Sequence, residues 1–118
     1  MVRAKDVLGA WGEDVAAAHL VAAGMQVLDR RWRTGGGEID VVARDGRVLV
    51  FVEVKTRSGV GFGSPLEAVT LAKQRRVRHL AVAWLAAHGT HAVDLRFDVV
   101  GVLRGSQGVT VEHVRAAF

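Results

Sequence analysis

The sequence predicts an α/β domain in which a small mixed β-sheet is flanked by helices, in the order α-β-β-β-α-β-β. Three observations predict it. Two apolar runs meet at Asp45-Gly46, a dipeptide that favours a two-residue type I′ hairpin turn. Val48 to Val54 is almost wholly apolar, as befits a strand covered on both faces. A helix start at Ser64-Pro65-Leu66-Glu67 then divides this strand from a later apolar run, and a strand-helix-strand crossover is right-handed, which sets the fourth strand parallel to the third. With 118 residues, half of them apolar, the chain can build one core and not two.

In order, Val7 to Ala23 is an Ala-rich helix with Gly24 placed for a left-handed C-terminal cap. Met25 to Arg33 alternates as a first strand, and Thr34-Gly35-Gly36-Gly37 turns the chain into the central hairpin. Ser58-Gly59-Val60-Gly61-Phe62-Gly63 follows as a glycine-rich loop that reads as a mobile lip, reaching a substrate with its backbone or Phe62; it has neither Rossmann nor Walker A spacing. Ser64 caps the second helix, Pro65 takes its first position, Glu67 completes a capping box, and Gly89 stops the helix after His88. Its apolar stripe is Leu66, Val69, Val77, Leu80 and Trp84, with Lys73 interrupting the line. Ala92 to Leu103 and Val109 to Val114 close the sheet around a turn at Arg104 to Gly108; Asp94 and Asp98 within the first of them read as structural.

Composition narrows the function. A formal net charge of +4 and a pI near 10.6 suit a polyanionic partner, although the arginine excess is equally what a GC-rich genome produces. The absence of cysteine excludes disulfides, Cys-based zinc sites and thiol nucleophiles. The N-terminal residues lack a leader-like apolar run, and no stretch approaches the ~20 apolar residues of a membrane span. The expected address is therefore the cytoplasm, without membrane association.

The chemistry gathers in Gly37 to Arg57. With Asp45-Gly46 as the turn, Val42 pairs with Leu49, Asp40 with Phe51, and Glu38 with Glu53. Alternation then puts Glu38, Asp40, Glu53, Lys55 and Arg57 on one face, with Asp40 diagonal to Glu53 at roughly 7–8 Å. Charges in an otherwise apolar strand need partners, because burying an ionised carboxylate costs several kcal/mol. One account is a Glu53–Lys55 ion pair that fixes register. The other is a divalent-metal site: Asp40 and Glu53 supply hard oxygen ligands for Mg²⁺ or Mn²⁺, and Lys55 faces a phosphate or an attacking water. Like charges at Glu38 and Glu53 on facing positions favour the second. Glu13 lies on the apolar stripe of the first helix, either complementing the helix dipole or joining the metal. Lys73 can snorkel or contact a phosphate, and with Gln74, Arg75, Arg76 and Arg78 it forms a basic cluster suited to following a nucleic-acid backbone. The arginines around Trp32 suit either a solvated strand face or nucleic acid.

Asp40 followed by Glu53-Val54-Lys55 on the next strand resembles the PD-(D/E)xK signature of the restriction-endonuclease-like superfamily, with Ile39 in place of the proline. Together with Gly12-Glu13, Arg31-Trp32-Arg33, Gly37-Glu38-Ile39-Asp40, Phe51 to Arg57, Phe62 to Pro65, Ala68-Val69-Thr70, Lys73 and the C-terminal Glu112 to Phe118, the pattern resembles the YraN family of bacterial proteins, which is similar to archaeal Holliday-junction resolvases. The resemblance implies a restriction-endonuclease-like fold and a Mg²⁺- or Mn²⁺-dependent nuclease. Asp40, Glu53 and Lys55 would be catalytic, the carbonyl of Val54 would join the ligands, and Glu13 and Glu38 would serve as further ligands or orient them.

The function expected is structure-selective, sequence-independent phosphodiester hydrolysis, with DNA as the leading substrate and Arg57, Lys73 and the second-helix arginines on the backbone. Resolving a junction would need paired sites and hence a homodimer. The alternatives are a nucleic-acid-binding module that keeps the fold without turnover, and an interaction protein whose acids form only a structural ion pair.

Overall fold

A computed structural model describes residues 3–59, 63–91 and 94–118. Phe62, the expected substrate-facing tip of the glycine-rich loop, and Ala92, the expected start of the fourth strand, lie outside the described residues. The elements are α1 (Ala4–Ala22), β1 (Gln26–Thr34), β2 (Gly37–Asp45), β3 (Val48–Ser58), a 3₁₀ turn (Pro65–Ala68), α2 (Leu71–Ala87), β4 (Asp94–Gly105) and β5 (Gly108–Val114). One five-stranded sheet runs in the order β1-β2-β3-β4-β5. β3 and β4 are parallel, as the crossover requires, and every other neighbouring pair is antiparallel.

α1 begins at Ala4 rather than Val7, since Ala4 and Asp6 extend the helix and Asp6 sits favourably in its first turn. It ends as the glycine predicts: Gly24 takes φ 94°, and the Gly24 and Met25 N–H groups donate to the Val21 and Leu20 carbonyls, a Schellman closure. Ala16 and Leu20 seal one sheet face against Val41, Val50, Val52 and Val100. The approach is close enough that a Cβ on Gly12 would lie 1.9 Å from Thr56 Oγ1 and 2.8 Å from Thr56 Cβ. Gly12→Ala should therefore push α1 off β3 and cost about 1–3 kcal/mol, read as a lower denaturation midpoint in urea.

On the other face, Val77, Leu80, Ala81 and Trp84 of α2 cover Val42, Leu49, Phe51 and Phe97. The helix predicted to start at Pro65 is in fact broken. Ser64 caps only the 3₁₀ turn, its hydroxyl accepting from the Leu66 N–H at 3.3 Å. Val69 is then extended, and Thr70 caps α2 by accepting from the Lys73 N–H at 3.3 Å. Burying the β-branched Val69 in an extended conformation, with Thr70 ready as a second cap, ends the first turn.

The central hairpin is also displaced from its expected register. Asp45 pairs with Val48, so Gly46 and Arg47 form the loop, and Val42 faces Phe51 rather than Leu49. Gly46 alone among the loop residues has positive φ, at 62°, which fits a type II′ turn led by glycine and not a type I′ turn centred on Asp45-Gly46. The slip is by an even number of residues, so β3 keeps its expected faces.

Asp98 is structural, as expected, and fully buried. Its carboxylate accepts two bonds from Arg96, at 2.9 and 3.0 Å, and one from the Ala116 N–H at 3.0 Å; His113 Nε2 lies 2.8 Å away. Burial would raise its pKa, but these bonds outweigh burial and hold it below the ordinary carboxylate value. Arg96 continues to Asp45 at 2.9 Å, and His113 Nδ1 lies 3.3 Å from His19 Nε2, so one network ties the hairpin turn, β4, β5 and α1 together.

Candidate metal centre

Asp40 sits where the pairing on both sides of β2 lapses. The β1–β2 ladder passes from Arg30↔Val41 to Trp32↔Ile39 without pairing Arg31 to Asp40, and the β2–β3 ladder ends at Val41↔Val52. Arg31 has φ 52°, a left-handed conformation that costs a non-glycine residue about 1–2 kcal/mol, and its guanidinium is ion-paired with Glu13 of α1. The alternation of β2 slips at this point, since Ile39 and Val42 join the α2-side core while Val41 joins the α1-side core. Freed from the ladder, Asp40 Oδ2 accepts the Val54 N–H at 2.8 Å. The carbonyl of Val54 points toward the same neighbouring strand as its N–H, into this gap.

Three acids converge there. Glu13, Glu38 and Asp40 each offer a carboxylate oxygen, and these oxygens all lie within 4.8 Å of one another. Glu38 also lies 3.6 Å from Arg33. The Asp40 carboxyl is pushed up to about 8, first by burial and then by the negative field of Glu53, with Glu13 and Glu38 adding to it against the lowering bond from Val54. Burial first, and then the acids around it, keep that carboxyl protonated near neutrality, and three neighbouring carboxylates leave a surplus of negative charge once it ionises. An all-oxygen donor set with such a surplus fits a hard divalent cation such as Mg²⁺ or Mn²⁺ better than zinc.

The cationic half lies beside it. Glu53 and Lys55 follow the alternation of Phe51 and so project on the α2 side of β3. They form a 3.5 Å ion pair with side chains only 14% and 16% exposed, so neither charge is well solvated. Lys73, at the start of α2, comes close enough that the Lys55 ammonium holds it below the ordinary lysine value, while Glu53 acts in the opposite sense. The Lys73 Nζ also donates to the Ala68 carbonyl at 3.5 Å.

Several expectations change. Glu38 does not face Glu53; its cross-strand partner is Arg33, so the predicted clash of like charges is absent. Glu53 stands outside the three-acid group, which is completed by Glu13, and it acts on Asp40 through its negative field. The β2–β3 ladder stops at Val41↔Val52, short of Asp40 and Glu53, so the expected diagonal placement of the two is not part of the paired sheet. In the basic cluster, Gln74 donates to the Val69 carbonyl at 3.1 Å and steadies the start of α2. Arg78 lies over Phe97, 4.8 Å from the ring centroid, and over Phe118. Arg75 and Arg76 are exposed and line a hollow of about 390 Å³ with Thr34, Gly36 and His79. Arg57 is exposed at the end of β3 and donates to the Thr56 carbonyl at 3.1 Å. The strained backbone of Arg31 and its pairing with Glu13 leave no mark in the sequence beyond the Arg31-Trp32-Arg33 run.

Among the described residues, no helix is long and apolar enough to cross a membrane. The chain is 56% identical over 112 residues to a UPF0102 protein of Rhodococcus jostii (strain RHA1), covering 94% of this chain and 95% of that one. It is 56% identical over 115 residues to a UPF0102 protein of Beutenbergia cavernae, covering 97% and 98%, and 56% identical over 118 residues to one of Frankia casuarinae, covering 99% and 100%. Residues 12–102, which carry every candidate ligand together with Lys55 and Lys73, match the family described as Uncharacterised protein family UPF0102, and the chain belongs to that family.

Proposed function

We infer that the protein is a divalent-metal-dependent nuclease of the PD-(D/E)xK type, hydrolysing phosphodiester bonds with DNA as the leading substrate. The observation that carries this reading is the placement of Asp40, which groups with Glu13 and Glu38 on one side and lies in the field of the Glu53–Lys55 pair on the other. Asp40, Glu13 and Glu38, with the Val54 carbonyl and Glu53 at the margin, would hold Mg²⁺ or Mn²⁺. When bound, such an ion supplies positive charge to the scissile phosphate and acidifies the attacking water.

The chain's own residues do the rest. The Val54 N–H orients the Asp40 carboxylate, and the arginines on Glu13 and Glu38 position those two acids. Lys55, held against Glu53, presents an ammonium to the phosphate and offsets charge as it develops in the transition state. Lys73 adds a second positive charge at the same place, and Arg57, Arg75 and Arg76 offer exposed contacts for a backbone, which carry no base information.

The test is a cleavage panel of plasmid, linear duplex, single strand and four-way junction with Mg²⁺ and with Mn²⁺, run beside Glu53→Ala and Lys55→Ala. Wild type should cut at least one substrate, and each variant should lose 100-fold or more of that rate while its far-UV circular dichroism is unchanged. Salt-sensitive binding with every substrate left uncut would favour a binding module that keeps the fold without turnover.

A further inference from the structure

Beside Lys55 the sheet opens into a cavity of about 360 Å³, near the small end of the roughly 300–1,000 Å³ range of small-molecule sites. The strand register explains its shape. Lys55 pairs with Gly101, which pairs with Glu112, and the next row outward is Arg57, Leu103 and Thr110. Each row spans three strands on one face, so Lys55 and Glu112 stand two strand spacings apart, about 10 Å. The middle position of the first row is a glycine. A Cβ there would lie 2.1 Å from Pro65 Cγ, so Gly101 lets the 3₁₀ turn settle over the sheet and form the opposite wall with Ala68 and Glu67.

Charge is divided along the cavity. Lys55 and Arg57 stand on one side, with Lys55 shared with the acid centre through its 3.5 Å contact to Glu53. Glu112 stands on the other, two strands away, with Glu67 on the 3₁₀ turn over the sheet, and neither carboxylate makes a hydrogen bond or ion pair with another described residue. An anion is drawn to the first side and repelled from the second. The apolar surfaces of Pro65, Ala68 and Leu103 lie between, where a flat ring can be covered.

We propose that this cavity takes a single unpaired nucleobase, with the phosphate of the same nucleotide against Lys55 and Arg57 and the donor edge of the base toward Glu112 and Glu67. A carboxylate accepts hydrogen bonds from the amino groups of base edges, so its place opposite the lysine is complementary to a nucleotide and not to a second phosphate. A base stacked in a duplex cannot reach into the hollow between the sheet and the 3₁₀ turn without leaving the helix, which favours strands carrying unpaired nucleotides: single strands, flaps and branch points. The link from pocket to cleavage rests on the nuclease reading above; the pocket's affinity for a base does not.

The experiment is an equilibrium titration of the metal-free protein with nucleoside 5′-monophosphates and, separately, with ribose 5-phosphate, which keeps the phosphate and removes the base. The nucleotides carrying an exocyclic amino group should bind at least ten-fold more tightly than ribose 5-phosphate. Ala68→Phe and Thr110→Trp fill the cavity from opposite walls, one from the 3₁₀ turn and one from the exposed face of β5. Each should bring nucleotide affinity down to that of ribose 5-phosphate and leave the latter unchanged; the exposed position of Thr110 keeps at least one of the two foldable. Equal binding of nucleotides and ribose 5-phosphate by wild type, or an undiminished difference in a folded variant of either kind, overturns the proposal. Base-dependent binding with an uncut cleavage panel removes the nuclease reading alone, and cleavage without base-dependent binding removes the pocket alone.

Discussion

Asp40→Asn should raise the thermal midpoint of the metal-free protein at pH 7.5 by about 5–10 °C while abolishing cleavage. The carboxyl of Asp40 is raised from 3.8 to about 8, so between these values the folded chain retains a proton that the unfolded chain releases. An acid with a raised folded pKa contributes a stability that is complete below pH ~4 and falls as pH rises toward ~8. At neutral pH most of that contribution is already lost, shared with the acids that titrate alongside Asp40. Asparagine removes the titration and keeps an oxygen to accept the Val54 N–H. Wild type measured by differential scanning calorimetry from pH 5 to 8 in EDTA should therefore lose stability that the variant keeps. Identical pH profiles for the two proteins would show that Asp40 is an ordinary surface carboxylate and would remove the electrostatic reason for a cation at this place.

Asp98→Ala should cost about 3–5 kcal/mol, enough to lower the thermal midpoint by roughly 10–20 °C. The substitution leaves the Arg96 guanidinium and the Ala116 N–H without their shared acceptor inside the fold, and removes the Asp98 side of the His113 contact. Breaking one member of a buried pair costs more than the pair contributes, because the remaining Arg96 charge is left with Asp45 alone to offset its desolvation. The Asp98 pKa is lowered, so its stabilisation is present above the unfolded value of about 3.8 and is lost as pH falls. Arg96→Ala should reproduce most of the loss, and the double variant should lose less than the sum of the two. A cost below 1 kcal/mol for Asp98→Ala in urea titration would mean that the network is incidental to the fold.

Local signals in the sequence were sufficient for the order of the elements. Gly24 and Gly89 end the two helices with positive φ, and the parallel pairing of β3 with β4 follows from the handedness of the crossover. Errors arose where two local signals competed. Asp45-Gly46 predicts a type I′ turn centred on that pair, yet the chain places Gly46 first in its loop and carries Asp45 in the strand, where Arg96 and Arg115 hold its carboxylate. Ser64-Pro65 was a correct start signal attached to the wrong helix, because Thr70 supplies the cap that α2 uses.

The candidate site was legible in composition and less so in geometry. Asp40, Glu53 and Lys55 stand out because charges interrupt apolar strands, and an even-numbered slip leaves β3 facing as expected. What a strictly alternating strand cannot disclose is the lapse of pairing at Arg31 and Asp40, which turns Asp40 toward Val54 and brings Glu13 into its group. The Asp98, His113 and His19 network is hidden for a different reason, since its members lie on three elements far apart in sequence.

The most direct measurement is a calorimetric titration of Mn²⁺ into the metal-free wild-type protein and into Asp40→Asn, at pH 6 and pH 7.5 in two buffers of different ionisation enthalpy. A metal that displaces the retained proton of Asp40 should bind wild type more tightly at pH 7.5 than at pH 6, with proton release detectable as a buffer-dependent heat, and should bind the variant at least ten-fold more weakly. Mn²⁺ heats that are the same for both proteins, or absent from wild type at either pH, would contradict a metal centre at Asp40.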